Sequence, residues 1–247
     1  MGGLRWKAGK VVPYIILVIV AIVFILPLVW VVVASLDTGA RQSIKMPDQW
    51  TLQNYIDVLQ NKVNQKSFLV GLGTSLCQSF FVLLLSMLAA YPLSRYEMRY
   101  NKMLMYTILF MTALPLTAVM VPVYQQFTNM GLYDSTFGVI IFFTASSLPY
   151  GIWMMKNFMD SVPIELEEAA WVDGAGTLRT IFKIVMPLML PGICVVGIFT
   201  FSGSWGNFFT PYILLRTAEK FPPAVNLYQF MGQHGSIAYG PLAAYSI

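Results

Sequence analysis

The sequence predicts an all-α fold, a polytopic transmembrane helix bundle with five complete spans and the start of a sixth. Three observations carry this. Of the 247 residues, 57% are hydrophobic and only 11% are charged, against roughly 25% charged in an ordinary soluble domain. The mean hydropathy is +0.66, and the charges gather in short clusters between long apolar stretches, so the chain alternates between two solvents. Five of those stretches reach the length of about 20 residues at which a helix crosses the hydrocarbon core.

The first span, Val11 to Ser35, follows Arg5, Lys7 and Lys10. Its apolar run of roughly 24 residues is too long for a signal-peptide core of about 7–15, so it reads as an uncleaved span preceded by a cytoplasmic N-terminus at residues 1–10. The second, Phe68 to Leu93, carries Gly71, Ser75 and Ser79 at four-residue spacing, a small-residue stripe that lets helices pack closely. The third runs from Met103 to Phe127, the fourth from Phe137 to Met155 and the fifth from Ile184 to Leu215, and a sixth begins near Leu242. Residues 11–247 therefore read as one transmembrane domain. Prolines 27, 115, 122, 149, 187, 191 and 211 fall within the spans. Each removes a backbone donor, which lipid tolerates only where neighbouring groups satisfy the freed carbonyl, so these helices suit a bundle around a cavity.

Placing the N-terminus in the cytoplasm puts nine of the 15 Lys and Arg residues inside, among them Arg95, Arg99, Lys102, Lys156, Arg179 and Lys183. Six fall outside: Arg41, Lys45, Lys62, Lys66, Arg216 and Lys220. The bias agrees with the positive-inside rule, and it sets the loop at 160–183 on the cytoplasmic face. The net charge of +4 flanks apolar segments instead of forming one basic face, which argues for membrane orientation and against nucleic acid.

The five spans carry no Asp, Glu, Lys, Arg or His in their interiors. A proton-coupled carrier needs ionisable groups at the midplane, so if this chain moves a cargo, the energy comes from elsewhere. A secondary carrier with a cation site of backbone carbonyls remains an alternative. A membrane-embedded enzyme would need a nucleophile, base or metal cluster, and none is visible. Cys77 and Cys194 lie inside apolar stretches and read as packing residues, and His234, alone in a loop, is assigned no role.

The stretch from Ser161 to Pro191 reads SVPIELEEAAWVDGAGTLRTIFKIVMPLMLP. Ser161 is the expected N-cap, Pro163 falls in the first turn, and Glu165, Glu167 and Glu168 place negative charge at the positive end of the helix dipole. Gly174 and Gly176 end the helix. A short helix, a glycine turn and a second helix running into the fifth span would make a compact projection. Its acidic first turn, its small Ala169 and Ala170 and its apolar Trp171 suit docking to a partner. The competing reading, an amphipathic helix lying on the membrane, would set three glutamates against anionic headgroups.

Glu168, Ala169, Ala170, Gly174, Ile184 and Pro187 stand in the register of a known signature: Glu-Ala-Ala, three residues, Gly, nine residues, Ile, then Pro three positions beyond. Met186 replaces the usual Leu. On these residues the chain resembles the inner-membrane permeases of binding-protein-dependent ABC importers. The segments SRYEMRYNK, VPVYQQFTNMGLYDS, IELEEAAWVDGA, FSGSWGNFFTPYILL and YGPLAAYSI are similar to those of the carbohydrate branch, which includes the smaller permease of the maltose importer.

The resemblance implies the type I permease fold of ABC importers in a bacterial inner membrane. It also implies a non-catalytic transport subunit that binds no cofactor itself, ATP being used by a partner ATPase. The implied partners are a second homologous permease, two cytoplasmic ATPase subunits and an extracytoplasmic solute-binding protein. That binding protein would meet the outer loops, Asp37 to Lys66 and Arg216 to Gly240. The residues implied to couple to the ATPase are Glu168, Ala169, Ala170, Asp173 and Gly174. Sugars are held by neutral polar groups and by stacking on aromatics, so Trp205, Asn207, Thr210 and Tyr212, with Ser146, Ser147 and Tyr150, are the pathway candidates. Interface preference of Trp and Tyr, and hydroxyls satisfying kinked backbone, explain the same residues without a pathway. A permease for a cargo other than sugar is the alternative within the family.

Overall fold

The computed structural model describes residues 2–41, 46–47, 49–230 and 237–247, with the side chains of residues 2–10 and 229 left aside. Lys45 and His234 lie outside the described residues. The regular elements among them are helical: α1 (Gly2–Ser35), α2 (Gln53–Gln60), α3 (Lys62–Arg95), α4 (Asn101–Thr112), α5 (Leu116–Asn129), α6 (Thr136–Asp160), α7 (Glu165–Val172), α8 (Thr177–Thr180), a π turn (Ile181–Val185), α9 (Met186–Leu188), α10 (Leu190–Trp205), α11 (Phe209–Leu214), α12 (Pro223–Asn226) and α13 (Tyr239–Ser246). Two short 3-10 turns lie at Ala218–Lys220 and Leu227–Phe230.

Three helices are long and apolar enough to cross a membrane alone, at Val11–Ser35, Lys62–Arg95 and Thr136–Asp160, and two bent pairs raise the number to five if each is one span. The bends correct two expectations. The third span is not continuous from Met103 to Phe127. It breaks between α4 and α5 with a 90° bend, because Pro115 takes extended backbone as the N-cap of α5 and the residue before a proline is pushed out of the helical region. The fifth span is not continuous from Ile184 to Leu215. Thr177–Leu188 and Leu190–Trp205 meet at 73° around Met189, with Pro191 in the first turn of α10, and the chain leaves the helix at Gly206 before the separate short α11.

The chain divides into two compact units. In the first, residues 1–65 with 226–247, α13 packs on α1 and α2. Asn54 is buried and donates to the carbonyls of Ser35 and Asp37 at 2.9 and 3.0 Å. Trp30 meets Tyr239 edge to face. Gly240 is required where α13 approaches the loop after α1, since a Cβ there would lie 2.5 Å from the Asp37 carbonyl oxygen. Most of α1 is exposed and apolar from Val11 onward, as a lipid-facing helix must be.

The second unit, residues 66–225, holds two cores. Val82, Ala90, Met155, Met159, Val185, Met189 and Val196 join α3, α6 and the approach to α10. Met120, Phe127, Val139, Phe142, Phe143 and Leu214 join α5, α6 and α11. The Gly71, Ser75 and Ser79 stripe does pack: a Cβ on Gly71 would sit 2.3 Å from Pro223, Ser75 hydrogen-bonds Ser204 at 3.2 Å and Thr200 donates to Ser79 at 3.3 Å. Cys77 and Cys194, expected as packing residues, are instead exposed on the bundle surface.

One end of this unit is fixed around Asp134, a non-glycine residue at φ +56°. Its carboxylate accepts from the backbone of Arg216 and Thr217 at 2.9 and 3.0 Å, from the Thr217 hydroxyl at 2.6 Å and from Lys220 at 3.0 Å. Burial by itself raises the Asp134 pKa, but the donors from Thr217, Arg216 and Lys220 outweigh it and hold the carboxyl well below the usual carboxylate range. A depressed folded-state pKa contributes stability that is complete above the ordinary value of 3.8 and is lost as pH falls below it. Asp134→Ala is expected to weaken the clamp by about 2 kcal/mol, raising tryptic cleavage after Arg216 and Lys220 roughly 30-fold. An unchanged cleavage rate would contradict the clamp. In the unmodified chain the protection should persist down to about pH 4 and fade only under stronger acid, read by hydrogen exchange.

Candidate functional site

The opposite end of the second unit carries the loop between α6 and α10. Ser161 is not the N-cap of α7. Its hydroxyl donates to the Phe158 carbonyl at 2.6 Å, closing α6, while Ile164 stands at the N-cap of α7 without a side-chain cap. Pro163 lies just before the helix, where its carbonyl accepts from Leu166. The C-terminus follows the sequence more closely. Gly174 adopts φ +82°, Gly174 N–H donates to the Trp171 carbonyl at 3.0 Å, and Ala175 N–H donates to the Ala170 carbonyl at 2.9 Å. This is a Schellman motif, which needs a left-handed residue at Gly174. Gly176 is extended (φ −74°, ψ 158°) and has no such requirement.

The helix has two faces. Glu165, Glu168, Ala169, Trp171, Val172 and Asp173 are exposed, with Val172 87% exposed. Glu167 and Ala170 are buried. The three glutamates therefore do not form one docking surface: the Glu167 side chain is 0% exposed and pairs with Arg95, Nε to Oε1 at 2.6 Å. Tyr91 donates its hydroxyl to Glu167 Oε2 at 3.0 Å. The same guanidinium donates to the Val162 carbonyl at 3.1 Å and to Ser94 at 3.2 Å. Ser94 in turn donates to Asp160 at 2.6 Å, and Asp160 pairs with Lys156. Tyr91, Arg95 and Glu167 were not singled out as site residues from the sequence. The available signal was the three-residue spacing of Glu167 and Ala170, which share a helix face, and a lone arginine at the end of an apolar span.

The pathway candidates are mostly held by internal partners. Trp205 stacks between Phe68 and Phe201, with centroids at 6.4 and 5.9 Å. Asn207 accepts from the Thr210 backbone at 3.0 Å, and Thr210 is fully buried. Tyr212, half exposed, stacks on Phe208. Ser147 accepts from the buried Gln78 at 3.2 Å, Ser146 donates to the Phe143 carbonyl, and Tyr150 lies against Phe199. The structure therefore brings together Gln78 with Ser147, and Phe68 with Trp205, across α3, α6 and α10. By contrast, the hydrogen bonds from the Ser146 hydroxyl and between Thr210 and Asn207 stay within their own segments.

The second unit is thus a bundle of membrane-length apolar helices that carries a short two-faced helix on a buried ionic base. Residues 82–247 match the family described as binding-protein-dependent transport system inner membrane component, and the chain belongs to that family. It is 30% identical over 213 residues to the diacetylchitobiose uptake system permease NgcG of Streptomyces coelicolor, covering 85% of this chain and 70% of the relative. It is 30% identical over 232 residues to the sulfoquinovosyl glycerol transport system permease SmoH of Agrobacterium fabrum, covering 90% and 80%. Its fold is shared with a chain of a bacterial ABC transporter that imports the acidic polysaccharide alginate, with a TM-score of 0.83, 22% identity and coverage of 97% and 90%.

Proposed function

We propose that this chain forms half of the translocation pathway of an ATP-driven importer for a sugar or oligosaccharide. In this reading it receives its work through α7. The exposed face of α7, set out by the Gly174 turn, is the observation that carries the proposal. Glu168, Ala169, Ala170, Asp173 and Gly174 form the coupling element: Glu168 offers a charge to a basic partner residue, exposed Ala169 permits close approach, buried Ala170 seats the helix from beneath, and Gly174 makes the left-handed turn that ends it after Asp173. A separate ATPase supplies hydrolysis, and this chain binds no cofactor and does no chemistry on the cargo.

The sugar class is supported by relatives whose names specify diacetylchitobiose and sulfoquinovosyl glycerol. The N-terminus and the α7 loop lie in the cytoplasm, supported by the charge bias of the loops. The partners are a second permease, two ATPase subunits and a solute-binding protein on the far side. Within the pathway, Tyr212 and Ser146 retain exposed surface that a sugar can meet, whereas Trp205 acts through its stack with Phe68.

The chain, solubilised in detergent, should bring down an ATPase and a second permease, and uptake in vesicles should require ATP and be indifferent to ionophores. A lone homo-oligomer without an ATPase would sink the proposal.

A further inference from the structure

We infer that the buried Arg95–Glu167 pair makes α3 a second recipient of the movement delivered to α7, so that the coupling helix drives two spans at once. The inference rests on the coupling role proposed above. The covalent route from α7 to α10 is jointed: it passes the Gly174 turn, the π turn at Ile181–Val185 and the 73° bend at Met189. The route to α3 has no such joints. Glu167 is 0% and Arg95 8% exposed at the side chain, and one guanidinium holds both the Glu167 carboxylate and the Val162 carbonyl on either side of the α7 N-cap. A planar fork bound at two points fixes orientation as well as distance. Separating a buried pair leaves an uncompensated charge, so α7 and the end of α3 move as one body.

Along the rest of α3 the joins are not ionic. Val82 and Ala90 pack in the apolar core shared with α6 and the approach to α10, and the hydrogen bonds to α10 and α6 are neutral and long: Ser75 to Ser204, Ser79 to Thr200 and Gln78 to Ser147, at 3.2, 3.3 and 3.2 Å. At its far end the exposed Lys66–Glu219 pair is of a kind that contributes little, and buried Asn64 donates to the Val58 carbonyl at 3.0 Å and accepts from Asn226 at 2.8 Å, again without a buried charge. Apolar packing and neutral hydrogen bonds fix no single register, so a helix gripped by a buried ion pair at one end slides past its packed neighbour in small shear steps when that end is pulled. Arg95 and Glu167 are thus positioning residues. They touch neither cargo nor nucleotide, but they decide which spans answer to α7.

The test uses the assembled transporter in liposomes, with Cys77 and Cys194 replaced by serine and a single reporter cysteine placed at exposed Leu76 on α3 or exposed Ile198 on α10. Thiol-modification rates are compared with and without ATP and binding protein. Glu167→Gln keeps the side-chain volume, and Arg95→Lys keeps the charge but loses the two-point fork. The expected result in both variants is an ATP response at Ile198→Cys that persists, a response at Leu76→Cys reduced at least tenfold, and a comparable fall in uptake per ATP hydrolysed. An undiminished Leu76→Cys response in either assembled variant overturns the inference, as does loss of both responses together, which would make the pair a mere support for α7. If neither position responds in the unmodified chain, the coupling role itself fails.

Discussion

Gly174→Pro is expected to abolish ATP-driven uptake while leaving the chain inserted in the membrane. Proline fixes φ near −65°, whereas position 174 requires +82°. It also deletes the N–H that donates to the Trp171 carbonyl, so the Schellman turn cannot form and the end of α7 unwinds. A Cβ at this position would meet nothing within 4 Å, which means the cost is one of backbone conformation and not of packing.

That separation gives the prediction internal controls. Gly174→Ala should bear only the left-handed penalty of about 1–2 kcal/mol. Gly174→Asn, which tolerates the left-handed region, should keep most uptake. Gly174→Asp has nearly the same shape but adds a negative charge beside Asp173 on the exposed face of α7, and it is expected to block uptake as Pro does. Uptake of the radiolabelled sugar, normalised to membrane-inserted protein by immunoblot, checks the series. Near-normal uptake with Gly174→Pro would refute the coupling role of α7.

Gly192→Val should cost more stability than any change on the exposed face of α7. Gly192 lies in the first turns of α10, and a Cβ built there would sit 2.4 Å from Phe158 Cγ and 2.6 Å from Cδ2. Phe158 packs against the core that joins α3 and α6 to α10, and the contact includes its Cβ at 2.7 Å, which a change of rotamer cannot move, so overpacking of this kind costs on the order of 3 kcal/mol. The expected outcome is a lower yield of folded chain and a lower unfolding midpoint in detergent, with partial recovery when Phe158→Ala is added. A single Gly192→Val variant as stable as the unmodified chain would show that α6 and α10 do not meet at this point.

The register from Glu168 to Pro187 was legible because each of its residues does a local job: a glycine at a positive φ, an alanine under a helix, a proline near a bend. The two inner faces were less legible. A cluster of three glutamates in four positions looks like one acidic surface in a linear reading, yet the helical rotation of about 100° per residue turns Glu167 away from Glu168. Which of them faces inward depends on Arg95, more than 70 positions earlier in the chain. Ser161 was misread for a related reason: the open carbonyl at the end of α6 took its hydroxyl before α7 began. The apolar segments were legible because hydropathy reports solvent, but a window of apolar residues carries no information about direction. The 90° and 73° bends within the third and fifth apolar runs were therefore invisible to it, although Pro115 and Pro191 stand beside them.

By itself the sequence determined that this protein lives in a bilayer, where its five apolar segments lie, and that one glycine-ended acidic helix stands between the fourth and fifth of them. These follow from composition and short-range spacing, where each residue's preference acts within a turn or two of helix. The tertiary structure decided which glutamate is presented and which is buried, which hydroxyls seal α3 against α10, and that Arg95 anchors α7. Those outcomes depend on charges and close contacts between segments far apart in the chain, whose partners are chosen only when the helices pack.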